Sequence, residues 1–426
     1  MSFGVTQLFQ TSSDHAKDGA FAVGIIYIVF CSTNLALSSH LTHLLGIRLT
    51  LIVSSLTYVF FIAANIKYYP WMLYTSSFLL GLGAALFWTA QGVYVTLATN
   101  EHEQVNGLAP SSTRGFINGV FLGLFYLHQT LGNLLMSFLF YSKLSQWIIF
   151  AIMTAIAGLG TFSLICLRPM RMPKNTGFTF IYIDFITEML FLHLDQRSVL
   201  SRLTILWDLP FVLLVPSISY LGLSQGFIYA AIPPLIIDNS RKFLIFAFYG
   251  IVTAVCSIVF GRLSDSRIRR LDVFILGAFS HTVIYALLLT KWKPPLDQTR
   301  IEIFIIIVAG LAVGDSLFTS QLFSTLAVFY GFTRPADAFA SLRIFQSAGT
   351  ALIYVTQAYI SIQIQLFGLI TLASLAVVTL IYEHYGVKSL DTGKTNMEVQ
   401  GPSITLSNMK IDDGLPLNIS TNTTVL

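Results

Sequence analysis

This sequence is short of charge: Asp, Glu, Lys and Arg make up only 10% of its 426 residues, against roughly a quarter in a soluble domain. A soluble chain of this length needs far more charge to cover its surface. The 55% of residues that are hydrophobic must therefore face something other than water. Cysteine is also sparse. Cys31, Cys166 and Cys256 each lie inside an apolar run, with neither CxxC nor metal-ligand spacing. That excludes a disulfide framework and leaves three small packing residues. A large excess of one sign is missing too: the net charge is +4 and the basic residues are dispersed, so nothing points to a nucleic-acid partner. The N-terminus lacks the pattern of a signal peptide. There is no Walker sequence, zinc-binding His/Glu pair or nucleophile elbow, so no residues support an enzyme and no cofactor or metal is implied.

What the sequence has is long apolar runs. Eleven can cross about 30 Å of hydrocarbon at a rise of about 1.5 Å per residue. They are Ala20–Ser38, Leu49–Ile66, Trp71–Ala98, Gly115–Phe140, Trp147–Leu167, Leu209–Ile237, Phe243–Phe260, Val273–Thr290, Ile301–Phe329, Ala336–Ile360 and Ile362–Tyr382. A barrel would instead show ten-residue alternation with polar inward positions. The chain is thus expected to be an all-α, multi-pass membrane protein whose first partner is the lipid bilayer.

Lysine and arginine orient it. One alternating set of connections, with the C-terminal tail, carries fifteen of them and the opposite set eight, which places the richer set in the cytoplasm. The longest connection, residues 168–208, is expected to be a cytoplasmic linker between a first helical unit, 1–167, and a second of six helices, 209–382. Its middle, Phe178–Leu194, is apolar but carries Asp184, Glu188 and His193, which suits an interfacial amphipathic helix better than a span. The polar tail, 383–426, is expected to be disordered. Its sequons at Asn418 and Asn422 would then lie on the wrong side for use.

The run from Gly261 through Arg262, Leu263, Ser264, Asp265, Ser266, Arg267, Ile268 and Arg269 to Arg270 joins two spans. Gly261 permits close helix packing, Asp265 can accept hydrogen bonds at a helix start, and the arginines offer counter-charge. The segment resembles the loop signature of the major facilitator superfamily, which follows the second span of each six-helix half. Gly261, Asp265, Arg269 and Arg270 are then the expected cytoplasmic gating loop. The equivalent first-half loop, His40–Leu49, keeps only Gly46 and Arg48 of the pattern. The resemblance also calls for six spans before the linker, where five are present. Met1–Gly19 is too short and polar to be the first helix, so the chain is expected to start within or just after it.

Gly81-Leu82-Gly83-Ala84-Ala85-Leu86-Phe87-Trp88-Thr89-Ala90-Gln91-Gly92 with Asn100-Glu101-His102-Glu103 resembles the fourth-helix hallmark of the Unc-93-like family. Gly314–Leu322 and Asp337–Ser347 are similar in the same way, most of all to the branch called major facilitator superfamily domain-containing protein 11. The resemblance implies a bundle of 11–12 helices in two pseudo-symmetric halves. It leaves the substrate undefined, since some relatives look like regulators of potassium channels or trafficking partners of receptors. Two functions stay open: a secondary transporter of a small solute or ion, or a non-transporting partner of another membrane protein. Plasma membrane and endomembrane are equally compatible.

Four residues are candidates for a solute or ion path. Asp315 lies well inside its span and Arg343 about 12 Å along the next, by helical rise. Charges in hydrocarbon cost about 2.5–3.5 kcal/mol on insertion scales, so the two are expected to pair directly or to face water. Asp315 could bind a cation or proton with Arg343 as switchable partner, or the two could form a static bridge. Gln91 and Gln225 could orient a solute or simply glue helices together. His128, Gln129, Asn133 and His281 carry the same ambiguity. The Gly-x3-Gly repeats at Gly115/Gly119/Gly123, Gly222/Gly226 and Gly310/Gly314 call for close backbone approach.

Overall fold

The computed structural model describes residues 2–10, 16–109, 112–170, 205–236, 238–266, 269–291, 301–331, 333–357 and 359–382. The expected linker helix, Phe178–Leu194, and the tail from Glu383 lie outside these residues. All regular structure among the described residues is helical.

Before the linker run α1 (Ser2–Gln10), α2 (Ala16–Ala36), α3 (Ser38–Leu45), α4 (Ile47–Ala63), α5 (Pro70–Val105), α6 (Arg114–Tyr141) and α7 (Gln146–Ser163). After it come α8 (Leu209–Ala230), α9 (Asn239–Ser266), α10 (Arg270–Lys291), α11 (Ile301–Tyr330), α12 (Pro335–Thr356) and α13 (Ile362–Tyr382). The eleven expected spans are α2 and α4 through α13. Among the described residues, nine helices are long and apolar enough to cross a membrane. The other two are α4, which has 17 residues, and α6, whose Asn118, His128, Gln129 and Asn133 make it more polar. Pro70 and Pro335 start α5 and α12, where the missing N–H costs nothing. At 36 residues α5 outruns the hydrocarbon, and its surplus is the polar end around Asn100–Glu103.

Two local expectations change, and one segment gains structure that the run lengths left open. His40–Leu49 is mostly helix rather than loop. It comprises α3 and the start of α4, divided at Gly46, whose φ of 75° lies in the left-handed region that glycine enters without cost. Gly261 is not in a loop either. Nothing between Val259 and Ser266 breaks helical hydrogen bonding, so α9 continues to Ser266 and only the short segment before Arg270 connects it to α10. Finally, the N-terminal residues form a helix. α1 buries Val5 and Leu8 completely, sets Phe9 against Phe140 and Phe150, and ties in through Ser2 Oγ to the Met153 carbonyl and Gln10 Nε2 to Asn65.

The two halves meet along two seams. One is α6 against α9, zipped from Ser137 and Ser240, which exchange hydroxyl-to-carbonyl bonds of 2.9 and 3.2 Å, to Gly119 and Gly261 at the other end. A Cβ on Gly261 would stand 2.6 Å from the Gly115 carbonyl oxygen, which is why glycine sits there. The other seam is α2 against α12, where the Tyr27 and Tyr354 rings stack 5.7 Å apart and Gln7 of α1 donates to both hydroxyls. α11 and α12 are the most buried spans, while α7 and α13 lie at the periphery.

Candidate functional site

Asp315 sits on α11 with no solvent exposure, and every lone-pair direction it uses meets a donor. Tyr249 of α9 and Tyr126 of α6 donate to Oδ2 at 2.7 and 2.9 Å, and Gln225 Nε2 of α8 donates to Oδ1 at 2.9 Å. A carboxylate removed from water needs such donors, and hydrogen bonds to a charged acceptor are the strong kind. Tyr126 belongs to the first half and Asp315 to the second, so this bond crosses between halves.

The string continues. Gln225 Oε1 accepts from Gln346 Nε2 at 2.7 Å, and Gln346 Oε1 accepts from Arg343 Nη1. The expected direct pair of Asp315 and Arg343 is therefore not formed. Two glutamines stand between the charges, because Gly222 lets α12 approach α8 so closely that Gln346 and Gln225 meet first. Arg343 is instead flanked by ring faces: its guanidinium carbon lies 4.6 Å from the Trp88 centroid and 5.0 Å from that of Phe323, an arrangement that partly compensates a desolvated cation. Its Nε and Nη2 have no hydrogen-bond partner.

Arg343, Gln346, Gln225 and Gln91 all border a cavity of about 1060 Å³ between the halves. Its wall includes Tyr229, Thr319 and Phe323 from the second half and Trp88, Phe125, Tyr126 and Gln129 from the first, and it extends along α4–α7 beside the start of α1. Gln91 is 7% exposed, and its Oε1 lacks a partner. Gln129 Nε2 donates across the halves to the Tyr229 hydroxyl at 2.7 Å. His128 also borders the cavity, its ring edge-on to Phe125 at 4.6 Å. His281 does not belong to the site. Its Nε2 lies 2.8 Å from the Leu311 carbonyl and its Nδ1 2.6 Å from the Tyr220 hydroxyl, so both ring nitrogens are engaged away from the cavity. Gly314 makes room for that ring.

At the end of the bundle that the arginine count assigns to the cytoplasm, Arg114 at the start of α6 is fully buried and reaches across the halves. It donates to the Ala327 carbonyl in the last turn of α11 and, at 2.9 Å, to Asn100. Asn100 itself donates to the Gly331 carbonyl at 3.3 Å. A cation at a helix C-terminus is favourably placed. Sequence reasoning read Arg114 only as an orienting charge and missed Tyr126 and Gln346 altogether. For Gln346 a signal existed: it lies three residues after Arg343, on the same helix face. Of the expected gating residues, Gly261 lies on the α6–α9 seam, Arg269 precedes α10, and Arg270 begins it. Asp265 falls near the end of α9, its side chain outside the described residues.

Two helical halves around a shared central cavity are the arrangement of a major facilitator fold. The proton:xylose symporter XylE, solved with 6-bromo-6-deoxy-D-glucose, superposes with a TM-score of 0.62 at 13% identity, over 89% of this chain and 90% of that one. The family is clear from the sequence. The profile described as ion channel regulatory protein UNC-93 matches residues 11–381, and the chain belongs to that family. It is 26% identical to UNC93-like protein 3 of Arabidopsis thaliana, over 88% of this chain and 81% of that one. It is 24% identical to UNC93-like protein MFSD11 of Xenopus laevis over 90% of each, and 23% identical to human protein unc-93 homolog A over 89% and 90%.

Proposed function

We propose that the protein is a secondary transporter that carries a small solute by alternating access. The observation that carries this reading is the hydrogen-bonded string from Arg343 to Asp315, which borders a cavity shared by both halves and ends on the other half at Tyr126. Rocking one half against the other has to part Tyr126 from Asp315, Gln129 from Tyr229 and Trp88 from Arg343. A proton or cation arriving at Asp315 weakens its hold on the Tyr126 hydroxyl, which makes Asp315 the coupling group in this proposal. Gln225 and Gln346 transmit the change to Arg343, and Gln91 contacts the solute. Gly261, with Asp265, Arg269 and Arg270 beyond it, governs the cytoplasmic end of the α6–α9 seam. Asp265→Asn should therefore change labelling of the cavity from each side.

Uptake by the purified protein in liposomes, against a panel of solutes, tests the proposal. Saturable uptake that Asp315→Asn abolishes in a folded protein supports it. If folded protein takes up none of the panel, a second reading takes precedence. It rests on the family's description as an ion channel regulatory protein, and makes the chain a partner that controls an ion channel. Co-expression with candidate channels and recording of their currents then becomes the decisive measurement.

A further inference from the structure

The described wall of the cavity carries a single formal charge. Among its described lining residues Arg343 is the one Lys, Arg, Asp or Glu, and the wall is otherwise mainly apolar or aromatic, with Ile26, Phe30, Phe87, Phe121 and Phe125 among its members. We infer that Arg343 binds the carboxylate of an amphipathic organic monoanion through its Nε and Nη2 edge, the body of the ligand lying against the aromatic wall. The inference rests on the transporter reading for its consequence, since it names the class of solute. The binding itself needs no transport.

The argument is one of hydrogen-bond supply. Arg343 is 6% exposed, and of its nitrogens only Nη1 has a partner, Gln346. Nε and Nη2 are buried without one, although a buried unmade hydrogen bond costs about 1–3 kcal/mol, and more for a charged group. These two nitrogens share one edge of the guanidinium, and their N–H bonds match the two oxygens of a carboxylate. Trp88 and Phe323 cover the faces, which leaves the edge as the recognition element. Asp315 does not supply the missing charge at that edge, because its own oxygens are engaged by Tyr126, Tyr249 and Gln225. A cation would meet an unneutralised guanidinium, and a dianion would leave one charge uncompensated in an apolar chamber. Gln91, with a free Oε1 on the cavity wall, can contact a polar group beside the carboxylate. Trp88 belongs to the first half, whereas Arg343 and Phe323 belong to the second. Parting the halves therefore moves Trp88 off one face of the guanidinium, which ties access to Arg343 to opening.

The test uses the full chain in lipid nanodiscs and three probes: phenylacetate, indoleacetate and octanoate, each paired with its uncharged amide. Calorimetric titration should show at least one carboxylate binding tenfold or more tightly than its amide. Arg343→Lys, which keeps the charge but loses the edge, should weaken that binding about tenfold. Arg343→Met should erase the difference between acid and amide. A second measurement needs no variant: modification of Arg343 by phenylglyoxal, followed by mass spectrometry, should be slowed by the carboxylate and not by the amide. If no carboxylate is preferred over its amide, or if the preference survives Arg343→Met, the inference is overturned. Where the variants do not fold, equal modification of Arg343 with acid and with amide overturns it. Carboxylate binding without liposome uptake leaves this inference standing and removes transport. Uptake of a neutral or cationic solute with no carboxylate preference does the reverse.

Discussion

Asp315 and Arg343 carry opposite charges, lie on neighbouring helices and are both buried, yet the fold treats them differently. Asp315 receives three donors from three other helices. Arg343 is given one acceptor and two ring faces, and two of its nitrogens are left without hydrogen bonds. A buried charge held by many partners is part of what keeps the helices in register. A buried charge with unused donors holds hydrogen-bonding capacity for something that arrives later. The difference also explains why two intramembrane charges on adjacent helices need not be a pair: each has found a partner other than its opposite.

The largest expected effect breaks this comparison directly. Asp315→Ala strands Tyr126, Tyr249 and Gln225 and should cost about 3–5 kcal/mol, seen as a large fall in thermal unfolding temperature in detergent or as loss of surface delivery. Arg343→Met removes two unsatisfied donors along with the charge, so its cost should be far smaller, about 1 kcal/mol or less. Because the charges are not a direct pair, the double variant should remain about as unstable as Asp315→Ala alone. Recovery to wild-type stability would reinstate the direct pair and collapse the distinction.

A second variant disturbs the spacing that keeps the two charges apart. A Cβ on Gly222 would stand 2.0 Å from the Gln346 carbonyl oxygen, and backbone cannot yield as a side chain can. Gly222→Ala should cost about 1–3 kcal/mol by forcing α8 from α12, and it should move Gln346 off Gln225. Gly368 of α13 has nothing within 4 Å of its would-be Cβ. Gly368→Ala should therefore be neutral or stabilising by a few tenths of a kcal/mol, up to about 1. Equal unfolding temperatures for the two variants would count against the close approach.

Much of this architecture was legible in the sequence, for a physical reason: hydrocarbon tolerates few departures from long apolar helices, so span number and fold class follow from run length and charge placement. The loops at His40–Leu49 and after Gly261 were misread because polar residues at membrane ends look like connections even where the helix continues into water. α1 was missed because nine residues cannot span, although they can be buried between helices that do. At the site, composition exposed Asp315, Arg343, Gln91 and Gln225, since polar groups in spans are costly and therefore stand out. It did not reveal that Gln346 and Gln225 would separate the charges. That outcome depends on how closely α8 and α12 approach, a property of packing rather than of either helix alone. Tyr126 escaped for a related reason, because a tyrosine in a span is unremarkable until its hydroxyl is seen against a carboxylate.

A smaller effect would sharpen the account of Asp315 by removing only the donor that comes from the other half. Tyr126→Phe leaves Tyr249 and Gln225 in place and should cost about 1 kcal/mol. Its more telling consequence is conformational: with the bond across the halves gone, cysteine-accessibility labelling of the cavity should rise. Tyr249→Phe removes a donor from within the second half and should cost a similar amount without that rise. Equal labelling in the two variants would mean that Tyr126 is merely one donor among three.

The smallest expected effect contrasts this buried carboxylate with an outer one. Asp18, at the start of α2, also accepts from two phenols, Tyr68 and Tyr74, the latter at 2.9 Å. Tyr68 lies in the connection between α4 and α5, where the Asp18 carboxylate that accepts its hydrogen bond pushes the phenol up to about 12. Its folded value is raised above the unfolded value of about 10, so its contribution is fully present below about pH 10. That contribution is lost as pH rises through about 12. Tyr68→Phe should lower the unfolding temperature slightly and by a constant amount from neutral pH to about 9, and the gap from wild type should close above about 10. A gap that persists at the alkaline end would mean that the ring's packing, not its hydroxyl, makes the contribution. Since solvent reaches this pair, its loss should move stability far less than loss of a donor to Asp315, and a comparable shift would contradict the ranking of the two carboxylates by burial.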